Sequence, residues 1–211
     1  KSLVERTGIS LKGKKVAILG SGGTSNTAKA VAMHMGAKSI NKVSRSKKDG
    51  YITYEELYND FSDCEILINT TPCGMFPDIY KSPVDLDRLP QVKCVFDAVY
   101  NPLKSKLICD AKEKGLVATG GLYMLVSQAA FAVEKFIDVT VDNEQVENIH
   151  KALYKDKMNI VLIGMPGCGK TTIGKALSKE INKTFVDTDV LISEKENKTI
   201  PHIFEEYGEA Y

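Results

Sequence analysis

Apolar runs alternate with amphipathic stretches along most of the chain. The runs are rich in β-branched residues and end at polar residues or glycine, which is typical of strands buried on both faces of a sheet. They predict strands over 14–20, 39–44, 65–70, 92–99 and 116–119. Between them, apolar residues recur at helical spacing and predict helices over 21–36, 53–61, 104–115 and 122–137. This alternation predicts an α/β fold with a parallel sheet covered by helices.

A polar stretch over 138–157 interrupts the pattern, which then starts again. A strand is predicted over 158–164, a helix over 171–182 and another strand over 184–189. A fresh strand followed by a second glycine-rich loop indicates a second α/β domain.

Three segments therefore organise the chain: a first domain over 1–140, a linker with a joining helix over 141–157, and a second domain over 158–211. About fifty residues are too few to close a parallel sheet of their own, so we expect only the start of the second domain. An incomplete sheet leaves an edge and apolar faces exposed, which predicts self-association or packing against the first domain. The first residue is Lys1 rather than Met, and we expect a piece of a longer protein.

The charge balance excludes several classes of partner. Lys and Arg number 28 against 27 Asp and Glu, a net charge of +1, so no single-sign field gathers nucleic acid or anionic lipid. No apolar run is long enough to span a membrane, and we expect a cytoplasmic protein without nucleic acid or membrane partners. The five cysteines never occur in CxxC spacing, which favours reduced thiols over disulfides or zinc ligands.

The first glycine loop follows the first predicted strand and precedes a predicted helix. Gly20 allows a tight turn, and Gly22 and Gly23 let the backbone approach a pyrophosphate at the helix N-terminus. Ser21 and Thr24 complete this candidate site. In this context the loop predicts a Rossmann-type doubly wound parallel sheet, although a strand–helix turn that binds nothing stays an alternative.

The end of the second predicted strand carries cations instead of an acidic residue. Ser44, Arg45 and Ser46 are followed by Lys47 and Lys48. An Asp or Glu here would accept hydrogen bonds from the ribose hydroxyls of NAD, whereas cations and hydroxyls suit the 2′-phosphate of NADP. The residues therefore predict NADP as the cofactor; the alternative is a solvated basic turn.

Three further motifs carry a family resemblance. The chain reads NTTPCGM over 69–75, DAVYNP over 97–102 and GLYMLVSQA over 121–129. Together with the glycine loop, these motifs resemble those of the shikimate dehydrogenases, in the same order. The resemblance implies the NADP-binding domain of an enzyme that reduces 3-dehydroshikimate to shikimate with NADPH.

The resemblance also implies roles for single residues. Residues 20–24 would wrap the pyrophosphate, and Ser44, Arg45 and Ser46 would hold the 2′-phosphate. The nicotinamide end would be lined by Thr70, Ala98 and Gly121, and the substrate would be reached by Tyr100 and Gln128. In this family the catalytic Lys–Asp pair lies in an N-terminal substrate domain, so we expect no catalytic residue in this chain. Asn26 departs from the family, many members of which have Arg there.

The second glycine loop matches GxxxxGK[ST] over 164–171. This pattern is typical of P-loop NTPases, where backbone N–H groups cradle the phosphates, the lysine meets their charge and the hydroxyl binds Mg²⁺. It predicts an ATP and Mg²⁺ site, with a purely structural turn as the alternative. The candidate ATP-binding residues are Gly164, Gly167, Gly169, Lys170, Thr171 and Thr172.

The segment FVDTDVLI over 185–192 extends this site. At a strand end Asp187 and Asp189 would point the same way. The DTD sequence after this loop resembles shikimate kinases, which implies that Asp187 joins Thr171 in binding Mg²⁺ and that Asp189 binds shikimate. That family also needs arginines, and none follows Arg88, so we expect no phosphoryl transfer.

The leading hypothesis is a fragment of a bifunctional shikimate-pathway enzyme, with the dehydrogenase cofactor domain first and the start of a P-loop kinase domain second. One alternative is a non-catalytic module that binds NADP and ATP. Another keeps the enzyme class and changes the substrate to quinate or an aminoshikimate.

Overall fold

The computed structural model describes residues 1–208, which divide into a first unit, Lys1–Met158, and a second unit from Asn159. The apolar runs of the first unit form parallel strands, joined to one another in a single sheet. These strands are β1 (Lys15–Leu19), β2 (Ser39–Ser44), β3 (Ile52–Thr53), β4 (Ile66–Asn69), β5 (Cys94–Asp97) and β6 (Val117–Thr119). Their order is β3-β2-β1-β4-β5-β6, so the direction of winding reverses between β1 and β4. The predicted doubly wound parallel sheet is confirmed.

Helices connect the strands, and several begin at side-chain caps. Thr53 and Glu56 form a capping box at the start of α3, and Ser105 accepts a hydrogen bond from the backbone N–H of Ile108 in α4. The helices of the first unit are α1 (Ser2–Thr7), α2 (Gly23–His34), α3 (Tyr54–Asp60), α4 (Lys106–Glu113), α5 (Leu122–Ile137) and α6 (Asn143–Lys157). Among residues 1–208, no helix is long and apolar enough to cross a membrane.

The core lies on both faces of the sheet because successive strand residues point to opposite sides. In β1, Ala17 and Leu19 join the cluster that α3 and α4 cover, whereas Val16 and Ile18 join the cluster beneath α1 and α2. Leu67, in the central strand β4, is fully buried in the first of these clusters. Burial on both faces explains why the strands read as continuous apolar runs.

The structure adds elements that periodicity did not predict. Helix α1 precedes β1, and the two-residue strand β3 extends the sheet beside β2. The polar stretch over 141–157 is mostly helix: α6 starts at a capping box formed by Asp142 and Gln145 and packs on α5, with Val146 buried. Unlike α1 and β3, this helix is expected: it is the joining helix that the sequence predicts within the linker.

The second unit contains α7 (Lys170–Glu180), α8 (Thr188–Glu196) and α9 (Ile200–Tyr207). The strands predicted over 158–164 and 184–189 are wrong: the described part of this unit contains no strand, and α8 begins inside the second segment. A strand exists only through backbone bonds to a neighbouring strand, and neither segment has one here. Val161 and Ile163 are consequently 79% and 89% exposed.

Removing the Leu67 side chain tests the central position of β4. Leu67→Ala is expected to lower the free energy of unfolding by about 2–5 kcal/mol, since it deletes buried methyl groups and leaves a cavity. Leu125→Ala is the matched control, because Leu125 is 36% exposed, and its cost should be clearly smaller. Urea unfolding followed by far-UV circular dichroism measures both; equal losses would contradict this account of the core.

Candidate functional site

The first candidate site lies where the sheet reverses its winding. Gly20 follows β1 and Thr70 follows β4, and the Thr70 hydroxyl donates to the Leu19 carbonyl at 2.5 Å. Gly20 has φ of 113°, and a Cβ there would stand 2.7 Å from the Thr70 hydroxyl oxygen. Only glycine fits this conformation and this contact. The tight turn thus lets the chain leave β1 directly towards α2.

The next two glycines need another explanation. Gly22 is the N-cap of α2 with φ of −83°, and Gly23 begins the helix. A Cβ on either would meet nothing within 4 Å, so neither backbone strain nor packing requires glycine. The open space lies at a helix N-terminus with free N–H groups, flanked by the exposed residues Ser21 and Thr24. The arrangement fits the close approach of a diphosphate.

The turn after β2 lies beside this loop. The Lys48 ammonium is 3.4 Å from the Ser21 hydroxyl, and Lys47 pairs with Glu56. Ser44 is buried, whereas Arg45 and Ser46 are exposed, and within residues 1–208 the Arg45 guanidinium has no ion pair or hydrogen bond. A cation without a partner therefore stands near the open glycine loop.

Sequence reasoning missed a second cation here. Lys42 is 8% exposed, donates to the Asn26 side-chain oxygen at 2.7 Å and lies 4.2 Å from the centre of the Tyr51 ring. Its hydrogen bond is the main cause of the lowered pKa of Tyr51. A lysine near the end of a strand and a tyrosine in a loop carry no motif, so only the register of β2 beside α2 reveals the group.

A buried polar network joins the C-terminal ends of β4 and β5. The Asn69 amide donates to Asp97 at 2.8 Å, and the same carboxylate accepts from the Val99 backbone at 3.0 Å and from the Ser105 hydroxyl. The Asn69 carbonyl oxygen accepts from both the backbone N–H and the hydroxyl of Thr71. Burial raises the pKa of Asp97, and the hydrogen bonds from Ser105, Val99 and Asn69 oppose this shift.

The remaining candidate residues for the nicotinamide and the substrate lie after the C-terminal end of β5 and on α5. Ala98 donates its N–H to the Asn69 carbonyl at 2.9 Å, and a Cβ on Gly121 would come within 2.2 Å of the Ala98 carbonyl oxygen. The start of α5 therefore packs directly on the end of β5. Tyr100 is 39% exposed beyond this contact, and Gln128 is exposed on α5. Among the described residues, the two side chains make no hydrogen bond to each other.

The second glycine loop folds around its own lysine. The Lys170 ammonium donates to the carbonyls of Gly164 and Met165, both at 2.8 Å. Gly169 caps α7 with φ of 85°, a conformation that favours glycine. Gly167 lies in the loop, and Thr172 is exposed in the first turn of α7. The loop thus gathers the candidate ATP-binding residues at one helix N-terminus.

One expectation about this loop is wrong. Asp187 and Asp189 do not end a strand: Asp187 caps α8 by accepting the Asp189 backbone N–H at 3.2 Å, and Asp189 lies inside the helix. Residues at this spacing on a helix do not share a face. Asp187 does accept a hydrogen bond from the Thr171 hydroxyl at 3.2 Å. Residues 1–208 contain no group of three His, Cys, Asp or Glu side chains placed to hold a metal ion.

These features define a class. An all-parallel sheet with this strand order, and a glycine loop at its reversal point, is the Rossmann-type dinucleotide-binding fold. The relatives of the chain are more specific. Shikimate dehydrogenase (NADP(+)) from Clostridium perfringens (strain SM101 / Type A) is 35% identical over 164 residues, which cover 72% of this chain and 59% of that protein.

Solved structures agree with this relative. The chorismate mutase/shikimate 5-dehydrogenase fusion protein from Clostridium acetobutylicum is 32% identical with a TM-score of 0.68, over 72% of this chain and 58% of that one. Shikimate dehydrogenase 1 from Peptoclostridium difficile is 31% identical with a TM-score of 0.68, over 75% and 60%.

The shikimate kinase family model matches residues 166–211. Shikimate dehydrogenase homologues therefore cover most of the chain and a kinase match follows at its C-terminal end, which is consistent with a fusion. The chain spans between 58% and 60% of the length of the three proteins described above.

The buried carboxyl of Asp97 predicts a pH dependence of stability. Its folded pKa is raised, so its contribution is fully present below the unfolded pKa of about 3.9 and is lost as the pH rises through the folded pKa. The unfolding free energy of the wild-type protein should therefore fall relative to that of Asp97→Asn as the pH rises from about 4. Asp60→Asn, at an exposed position, is the control and should follow the wild type. Parallel curves for Asp97→Asn and wild type would contradict the raised pKa.

Proposed function

We propose that the first unit is the NADP-binding half of a shikimate dehydrogenase, which reduces 3-dehydroshikimate to shikimate. The open backbone at Gly22 and Gly23 carries this proposal, because the protein itself gives no reason for glycine at either position. Arg45, which has no partner among residues 1–208, supports NADP over NAD. When bound, NADPH supplies the hydride.

The residues of this chain bind NADP and the substrate and orient them. Residues 20–24 hold the pyrophosphate at the start of α2, and Ser44, Arg45 and Ser46 hold the 2′-phosphate. Thr70, Ala98 and Gly121 form the edge against which the nicotinamide lies, and the buried pair of Asn69 and Asp97 fixes that edge. Tyr100 and Gln128 reach the substrate. Reduction of a ketone also needs a proton donor at its oxygen, and no residue of this chain is proposed for that role.

Nucleotide titration tests the proposal. Calorimetry on the whole chain should find NADP bound about tenfold more tightly than NAD, a difference of about 1.4 kcal/mol. Arg45→Gln should remove most of that preference while leaving NAD binding nearly unchanged, since it deletes only the partner of the 2′-phosphate.

Arg88→Gln is the matched control, because Arg88 pairs with Glu55 and stacks on Tyr58 outside the glycine loop. It should leave both affinities as they are. An equal loss of NAD and NADP affinity in Arg45→Gln would contradict a 2′-phosphate contact, and failure of the wild type to bind either nucleotide would contradict the cofactor site itself.

We propose further that the second unit is the ATP-binding start of a shikimate kinase. The hydrogen bond between Thr171 and Asp187 supports this, because it joins a hydroxyl and a carboxylate, the hard oxygen ligands that Mg²⁺ prefers. Gly164, Gly167, Gly169, Lys170 and Thr172 would cradle the phosphates, and Asp189 would bind shikimate from the first turn of α8.

Binding of Mg²⁺-ATP tests this second site. Lys170→Met should weaken it by about tenfold or more, because it removes the cation nearest to the phosphates. Lys175→Met, an exposed lysine later in the same helix, should bind as the wild type does. A fluorescent ATP analogue titrated into the whole chain measures both, and equal affinities of the two variants would contradict a phosphate-binding role for Lys170.

A further inference from the structure

A separate pocket lies at the β6 edge of the first unit. Its volume is about 150 Å³. Its walls come from the turn before α4, from α4 itself, from the end of β6 and from the helices α1, α5 and α6. None of the residues proposed above to contact NADP lines it. The polar groups at its surface are Arg6, Lys104, Lys112, Thr119, Tyr123, His150 and Tyr154.

The lining is strongly cationic. Lys104 stands just before α4 and Lys112 in its last turn, and within residues 1–208 neither forms an ion pair. Arg6 faces them from α1, and no carboxylate belongs to the described lining. Arg6 already pairs with Glu147 at 2.9 Å, so the lysines are the two lining cations without an ion pair among residues 1–208. Like charges beside one small cavity repel each other, and an anionic ligand between the two lysines would reduce that repulsion.

Arg6 is held in place by Glu147 and by two residues of the pocket wall, His150 and Tyr123. One guanidinium nitrogen donates to Glu147 at 2.9 Å, another is 3.2 Å from Nδ1 of His150, and the guanidinium carbon lies 4.2 Å from the centre of the Tyr123 ring. The Tyr123 and His150 rings meet edge to face at 5.4 Å. These contacts orient the cationic wall before any ligand arrives, which lowers the entropic cost of binding.

The size of the cavity limits the ligand to a small one. A volume of about 150 Å³ has room for several water molecules, and therefore for a small tetrahedral oxyanion. A dinucleotide needs several times more space. The hydroxyls of Thr119 and Tyr154 also belong to the lining, so the pocket offers neutral donors besides the lysines. A phosphate dianion carries more charge and more acceptor oxygens than a carboxylate, and it therefore uses such a lining more fully.

We propose that this pocket binds a phosphate group, either as inorganic phosphate or as the phosphate of a small monoester. The bound group lies between the lysines at the two ends of α4 and the Arg6 side of the cavity. Because the first turn of α5 lines the pocket while Gly121 packs on Ala98, the ligand contacts the same helix end that borders the proposed nicotinamide edge.

His150 gives a local readout of binding. The chain has only three histidines, so its imidazole signal is readily assigned by NMR. Burial and then the nearby charge of Arg6 lower the pKa of His150, and Glu147 acts in the opposite direction. The other groups that face it are Tyr123 and Tyr154, with the two pocket lysines beyond. A phosphate dianion should raise the pKa of His150, because it favours the imidazolium form.

The experiment is an NMR titration of the whole chain with inorganic phosphate, with glycerol 3-phosphate and with chloride at equal ionic strength. Both phosphates are expected to shift the His150 pKa upward in a saturable way, and chloride is not. A preference for glycerol 3-phosphate identifies a monoester ligand, and equal affinity or a preference for phosphate identifies the free ion. No saturable shift, or the same shift with chloride, would overturn the proposal.

Variants separate this pocket from the second glycine loop and from surface lysines in general. The double substitution Lys104→Gln with Lys112→Gln should weaken the phosphate response of His150 by at least about fivefold, the effect of one exposed ion pair at its upper range. Lys170→Met and the exposed surface variant Lys38→Gln should leave it unchanged. Lys104 and Lys112 are both exposed, so their substitution should not disturb the core. Circular dichroism verifies the fold of the double variant. An undiminished response in the folded double variant refutes the site.

Discussion

The hydrogen bond between Asn69 and Asp97 is the contact on which the proposed nicotinamide edge depends. It joins the ends of β4 and β5 in a region that water does not reach, since both side chains are fully buried. The other hydrogen bonds of the network are made to these two side chains. Asn69 accepts from Thr71, and Asp97 accepts from the Val99 backbone and from Ser105, the residue that caps α4. A buried network of this kind is stable only when every member has a partner. Loss of one group would leave the others unsatisfied at the edge where the nicotinamide is proposed to lie.

Sequence alone could predict the layers of the first unit and the turn at Gly20, because both depend on local pattern. Continuous apolar runs identify strands buried on two faces, and a glycine between strand and helix marks the loop. The pairing of Asn69 with Asp97 could not be derived in this way. The two residues are far apart along the chain, and they meet only because β4 and β5 are adjacent in the final strand order. The position of Lys42 beneath Asn26 and Tyr51 depends on tertiary structure in the same way.

In the second unit the sequence pattern predicts strands that the structure does not contain. The residues over 159–163 and 184–186 have the composition of strands, yet the structure assigns no strand to either segment. β-propensity measures how well a side chain fits a paired and partly buried surface, so it predicts little where no neighbouring strand is present. The turn around Lys170 was predictable because the ammonium of Lys170 forms its hydrogen bonds within the loop, no further away than Gly164. Gly174 shows a tertiary constraint that the motif does not contain: a Cβ there would come within 2.4 Å of the Phe185 ring.

The two glycine loops differ in the contacts that a phosphate group would meet there. In the first, Gly22 and Gly23 border open space, and a Cβ on either would meet nothing within 4 Å. In the second, the Lys170 ammonium already satisfies the carbonyls of Gly164 and Met165, and Thr171 already donates to Asp187. A nucleotide that takes Lys170 as its partner must replace two hydrogen bonds of the protein with its own, which subtracts from the net free energy of binding. A phosphate would therefore meet open backbone at the first loop, whereas at the second it would exchange internal contacts of the protein for its own, so the same type of motif gives two loops with different energetic requirements.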